Sequence, residues 1–418
     1  NFPSVAVGWS FSEEPFIKRL TGGWLNWGKI RGSYGKSGQT FTSAYLAHGL
    51  MNIMDKSFFG KTGITTDKPV SPYLTWEKTR QYDLGLDMDM FNYRLNVKLD
   101  YYYKYTSSLI YDIPIPGSLY AFGAQVENAM EISNEGLELE LQADILRESA
   151  VSWRMKFNMA RNWNRFEKSY SGKDVVDGDG TLLVVGRPLN GLYVWAHRGY
   201  YNSDAEVPRL YKIDGQEIYF NGVATNGISG AVGDYRLLDL DGDGNPDSYY
   251  AGSPLPLAHG GWVNELMWKN FDLNVLVNFT IGRKMINNRM GLGFSRQSED
   301  GHLTKLFDYR KLRPWDGVNK KPNAPAWGNS LSMNTDSAIE KVHHLALKQI
   351  TLGYNLPDRI SKKAGLSGVR FFLTAENLFY LSNYSGGNPE VVNIYTGRDN
   401  GDTYPLPRKY TLGLTLNF

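Results

Sequence analysis

The 418-residue chain has no cysteine, which excludes thiol catalysis, cysteine zinc sites and disulfides and fits any compartment, an oxidising one included. It also lacks a dominant charge: 45 Lys and Arg stand against 43 Asp and Glu, so no net field steers it toward nucleic acid. No stretch approaches the roughly 18 apolar residues of a membrane-spanning helix. Neither H-E-x-x-H nor G-x-S-x-G occurs, and among the six histidines His343 and His344 are adjacent, so on a strand they face opposite sides. "GKIRGSYGKSG" fails as a phosphate loop, because the pattern ending at Gly35-Lys36-Ser37 needs glycine where Ile30 stands. No signal peptide opens the chain. "NFPSVAVGWS" already reads as strand, so the segment is expected to be mature or to start within a longer protein.

What is abundant is alternation. In the final "KYTLGLTLNF", Tyr410, Leu412, Leu414, Leu416 and Phe418 share one parity, and Thr411, Gly413, Thr415 and Asn417 the other. The same period recurs at 82–90, 95–105, 137–145, 153–160, 272–279 and 369–376, although Leu276 and Phe372 fall on the polar parity. About eleven strands are expected, near 5–14, 24–35, 78–90, 94–106, 134–145, 151–165, 259–268, 272–282, 345–356, 368–380 and 408–418. A further hairpin could sit in 166–258, around "GLYVWAHRGYY" and "EIYF".

Connections alternate short and long. Short ones lie near 15–23, 91–94, 146–150, 269–270 and 357–367, and long ones near 36–77, 106–133, 166–258, 283–344 and 381–407. Outer-membrane barrels have this asymmetry, with short periplasmic turns and long external loops. The expected fold class is therefore all-β, an antiparallel transmembrane β-barrel whose apolar rows face lipid and polar rows face a lumen. Aromatics at 14%, with 27 Tyr, suit its interfacial girdles. A soluble sandwich or a secreted all-β protein would alternate too, but has no reason to gather its long loops at one end. An odd strand count puts residue 1 at the external end and leaves the first and last strands parallel. Closure by residues 1–418 alone is thus not expected, nor is a barrel that begins here. In the 91–94 hairpin, parity sets Met90 opposite Leu95 and Asp87 opposite Lys98.

Several motifs carry a family resemblance. "GWSFSEEPF" followed by "WLNWGKIRGSYGKSG", then "ISNEGLELEL", "VGRPLNGLYVW", "LDLDGDGNPD", "LKQITLGYNLP", "VRFFLTAENLFYL", "PEVV" and "YPLPRKYTLGLTLNF" resemble SusC/RagA-type TonB-dependent transporters, in order from residue 1 to 418. Asp241 and Glu376 depart from that pattern, where Asn and Gln are the commoner residues. The resemblance implies the C-terminal half of a 22-stranded barrel in the outer membrane of a Gram-negative bacterium. It also implies a plug domain and a TonB-contacting segment outside these residues, a SusD-like lipoprotein lid, and an oligosaccharide or peptide cargo. Alternatives are a passive or structural barrel within a larger complex and a secreted glycan-binding protein.

No enzyme is expected. Glu138, Glu140 and Asp144 lie on one strand face, where alternate residues are about 7 Å apart, but read as a lumen wall balanced by Arg154 and Lys156 rather than as a catalytic carboxylate pair. Aromatics in the external loops (Trp195, Tyr200, Tyr201, Tyr249, Tyr250, Trp315, Trp327, Tyr380 and Tyr384) could stack on cargo or pack the loops, and no substrate-binding residue is singled out. "DLDGDGNPD" is the one candidate metal site. Asp239, Asp241, Asp243 and Asp247 match positions 1, 3, 5 and 9 of a calcium loop, with Gly244 at the turn and the Asn245 carbonyl at position 7. Oxygen ligands favour Ca²⁺ over Zn²⁺, in a structural role. Tyr250 at position 12 departs from the usual Glu, and a solvated acidic turn is the alternative.

Overall fold

The computed structural model describes residues 2–40, 51–58, 60–66, 69, 71–116, 123–176, 182–207, 209–211, 217–219, 232–242, 247–288, 313–318, 321–326, 335–401 and 403–418. Its main element is one twelve-stranded sheet, eleven of whose strands run in sequence order. They are β1 (Ser4–Trp9), β2 (Leu25–Gln39), β3 (Glu77–Met90), β4 (Leu95–Pro114), β5 (Ala124–Leu146), β6 (Val151–Lys168), β7 (Ala258–Trp268), β8 (Phe271–Asn287), β9 (Ile339–Asn355), β10 (Gly368–Ser382) and β11 (Lys409–Asn417). Each pairs antiparallel with its sequence neighbours. Among the described residues β1 and β11 each pair with one strand only, so the sheet is an open arc.

The rows follow from parity. Gly32, Leu84, Tyr101 and Leu137 stand side by side across β2 to β5, and Trp262, Val277 and Leu347 across β7 to β9. This outward face is apolar and uncovered, with Leu84 at 56% and Leu352 at 47% exposure, which suits lipid and not water. The outward row of β4 runs from Leu95 to Tyr103, about 26 Å of strand at 3.3 Å per residue. At its upper end the row turns polar: Glu135, opposite Tyr103, accepts from the Tyr101 hydroxyl at 3.0 Å. The ladder continues past that level to Pro114 and Ala124, so the connection expected over 106–133 narrows to 115–123. Met90 pairs with Leu95 and Asp87 with Lys98, as parity requires.

Two expectations need correction, and one strand carries a bulge. The strand expected over 5–14 stops at Trp9, and the chain turns through a 3₁₀ segment (Phe11–Glu13) into helix α1 (Pro15–Thr21). Pro15 starts it because its missing N–H is not needed in the first helical turn, and Gly22 ends it at φ 55°. Strict alternation also breaks in β9. Leu347 pairs with Val277 and Gln349 with Leu276, so Lys348 is an extra, bulged residue, and the outward parity changes from Ile350 to Leu347. Among the described residues the possible hairpin in 166–258 adds no strand to the arc. Its segments pair locally, 192–195 with 248–252 and 197–200 with 235–237.

Candidate functional site

The inward face is a ladder of charge pairs, some between neighbouring strands and some reaching across one strand to the next. Arg31 Nε meets Asp87 at 3.0 Å and its Nη2 meets Asp100 at 2.5 Å. Arg154 meets Asp144 at 2.7 Å, Lys156 meets Glu265 at 2.7 Å, and Arg370 meets Asp272 at 2.5 Å. Register alone did not give all the partners. Asp87 lies opposite Lys98, yet its contact is Arg31 on the other flank, and Lys98 reaches toward Glu140 at 3.8 Å. Phe372, on the polar parity, lies flat over Gly413, where a Cβ would come within 2.0 Å of its ring. A recess of about 800 Å³ opens on this wall, lined by Lys98, Glu138, Glu140, Lys156, Asn158, His259 and Asn278 among others. Glu138 and Glu140 thus belong to a polar corridor.

Glu390 also lines that recess, and it comes from the far end of the chain. Residues 383–401 leave β10 at the long-loop end, cross the inner face of β9 and β8, and add Arg398–Asp399 parallel to Ile286–Asn287. This strap is pinned by Arg283. Its Nη1 donates to the Pro389 carbonyl at 3.1 Å and its Nη2 to those of Val392 and Asn393 at 3.0 and 2.7 Å. Met285, Val342, Tyr384 and Val392 close around it, the Tyr384 hydroxyl donates to Asp399 at 2.8 Å, and Lys348 meets Glu390 at 3.1 Å. The bulge that displaces Lys348 from the strand's parity is what sends it to the strap. Sequence reasoning missed Arg283 and Glu390. The available signal was Gly282, at φ 71°, a glycine inside a strand that marks a bulge or close backbone approach.

The loop aromatics divide. Tyr201 and Tyr384 are almost fully buried and pack the loops, whereas Tyr249 is 37% exposed. Tyr250 lies 5.6 Å from Tyr193 and beneath Arg187, and Trp315 donates to Asn202 at 3.2 Å. Burial, with the neighbouring Tyr250 adding to it, pushes the Tyr193 hydroxyl up to about 12. Trp327 lies outside the described residues.

At the acidic turn the structure brings together Asp239, Asp241 and Asp247, with one possible ligand oxygen of each within 4.8 Å of the others. Asp243 and Asn245 lie outside the described residues. The turn is also braced by its own backbone: Asp247 Oδ2 accepts from the Leu240 and Asp241 amides at 2.5 and 3.2 Å, and Asp239 Oδ1 from Gly242 at 2.6 Å. Three carboxylates converging at this spacing suit a hard cation, which takes oxygen ligands.

An antiparallel arc with an apolar outside, a charge-paired inside and its long connections at one end defines part of a membrane β-barrel with a polar lumen. Residues 1–252 match the family described as "TonB dependent receptor-like, beta-barrel", and the chain belongs to that family of outer-membrane receptors, which are not enzymes. Over its whole length it is 31% identical to TonB-dependent receptor P26 of Formosa agariphila and 27% identical to TonB-dependent receptor SusC of Bacteroides thetaiotaomicron. It spans 42% and 40% of those proteins, about two fifths of each. Its fold is similar to that in the structure of the RagAB peptide importer in the "closed-closed" state, with TM-score 0.78 at 23% identity, all of this chain matching 43% of that one.

Proposed function

We propose that the chain is the C-terminal half of the barrel of a TonB-dependent importer in the outer membrane of a Gram-negative bacterium. The observation that carries the reading is the arc itself: one face fit for lipid, one fit for water, and two edges that pair with no further strand among the described residues and that a second half would close. The barrel performs no bond chemistry. It supplies a corridor of fixed, mutually compensated charges, along which a polar oligomer can exchange hydrogen bonds without meeting one dominant sign. The cargo class is a large nutrient, an oligosaccharide or a peptide, captured with a SusD-like surface lipoprotein and driven by TonB through a plug. SusC and the RagAB peptide importer, to which the chain is similar, support this class. Glu390, Lys348 and the recess below them are the cargo-facing part of the corridor.

The test is uptake. Cells carrying the whole receptor should accumulate labelled oligosaccharide or peptide only while the proton-motive force and TonB are intact, and a surface lipoprotein should co-purify in detergent. Uptake indifferent to TonB would leave a passive barrel instead. The acidic turn is assigned a structural Ca²⁺ held by Asp239, Asp241 and Asp247, with Asp243 and the Asn245 carbonyl as the remaining donors of the motif. Calcium titration of the receptor should give one saturable site that Asp247→Asn weakens, with 166–258 becoming protease-sensitive in chelator. Equal cleavage with and without calcium would leave an acidic turn only.

A further inference from the structure

At the short-turn end, between β1 and β2, the chain makes an excursion that the transport reading does not use. Trp9 pairs with Ile30 and Gly28 with Met88, so Trp9 and Gly28 belong to the outward, lipid-facing parity. The Phe11 ring covers Gly28 so closely that a Cβ there would lie 2.5 Å from it. Trp9 donates from its indole nitrogen to Glu14 at 3.1 Å, and the Trp9 and Phe11 rings meet edge-on at 6.1 Å. These contacts hold the excursion against the outside of the barrel. Gly28 lies three residues into β2, about 10 Å from its end at 3.3 Å per residue, so α1 descends from there to the rim.

The helix turns Ile17 and Thr21 inward, with Thr21 buried, and points Phe16 and Leu20 away from the protein. Phe16 and Leu20 are four residues apart and share a face, and they are 59% and 81% exposed. Arg19 flanks that face, and Lys18 turns away to pair with Glu13 at 2.8 Å. Trp24 and Phe91, with rings 6.2 Å apart, are exposed on the same rim. An apolar helical face continuous with a lipid-facing sheet, edged by a cation and aromatics, is the composition of an element lying in a membrane interface.

We propose that α1 is an interfacial anchor whose Phe16–Leu20 face inserts among the inner-leaflet phospholipids beside the barrel, fixing the depth of the β1–β2 rim. The inference rests on the barrel reading and extends it to a lipid-binding surface. The test uses single cysteines in the whole receptor, reconstituted in phosphatidylethanolamine–phosphatidylglycerol vesicles. Nitroxides at Phe16→Cys and Leu20→Cys are read for collision with oxygen and with a water-soluble nickel chelate. Arg19→Cys, on the flank of that face, replaces either site if the labelled barrel loses its heat-modifiable migration.

Leu84→Cys on the outward row and Tyr404→Cys, where the residue is 85% exposed at the long-loop end, give the lipid and water references. The expected oxygen-to-nickel ratio at the helix is at least about threefold above that of Tyr404→Cys and below that of Leu84→Cys, as the depth gradient of an interface requires. A ratio equal to that of Tyr404→Cys means water, and exclusion of both reagents means cover by protein. Either result overturns the anchor while leaving the barrel. An aqueous ratio at Leu84→Cys itself overturns the barrel, and the anchor with it.

Discussion

The β3–β4 hairpin and the upper part of β8–β9 are built from similar residues and obey different rules. From Met90–Leu95 to Lys78–Ser107 the hairpin pairs without one register shift. The β8–β9 pair shifts twice, at Leu276/Val277 and between Thr280 and Arg283. The hairpin separates two solvents, and a slip of one residue would turn its apolar row into the lumen. The top of β8 touches neither solvent. Met285 and Ile286 are consecutive, point to opposite faces and are both fully buried. The strap packs on Met285, and Leu192, Val194 and Ala251 of the 166–258 segment pack on Ile286. Where protein covers both faces, alternation has nothing to report, and the shift between Thr280 and Arg283 falls there; the Lys348 bulge lies lower, beside the outward Leu347, and sends Lys348 to Glu390.

Deletion should separate the two regions most sharply. Removing Lys98 from β4 inverts the row beyond it, and the receptor is expected to lose heat-modifiable folding altogether. Removing Lys348 excises the bulged residue and leaves Leu347–Val277 and Gln349–Leu276 in register, so folding should survive while the contact with Glu390 is lost. Gel migration of both variants decides it, and equal loss would break the comparison. Next in size, Arg283→Ala strips three carbonyls of their donor inside a closed cluster. It should cost about 3 kcal/mol or more and bring the first protease cut into 383–401.

Asp247→Ala, which leaves the Leu240 and Asp241 amides uncapped, should cost about 1–2 kcal/mol, read as faster hydrogen exchange at those amides. The smallest effect belongs to Arg31→Ala. Its pairs with Asp87 and Asp100 face the lumen and are part-solvated, so the loss in a urea titration should stay within about 1 kcal/mol. A loss matching that of Arg283→Ala would mean the lumen wall is as closed as the strap.

The arc was legible because each strand between two solvents carries its own register in the parity of its side chains. The eleven strands of the arc and the Met90–Leu95 pairing followed from that parity, and the alternation of short and long connections set them in sequence order. The acidic turn was half legible: the spacing of Asp239, Asp241 and Asp247 foretold their convergence, though not the amides that brace them. Residues 10–14 misled because alternation runs on through "SFSEE", while Pro15 and Gly22 set a helix that parity cannot see.

By itself the sequence determined which face of each strand meets lipid and where the chain turns back, since both depend on residues close together and on the solvent each must meet. Only the tertiary structure decided that Asp87 would choose Arg31 over Lys98, that Arg283 would pin a strap arriving more than a hundred residues later, and that α1 would lie outside the barrel. Those outcomes depend on which segments arrive at the same place in space, and a strand's parity holds no record of what will cover it.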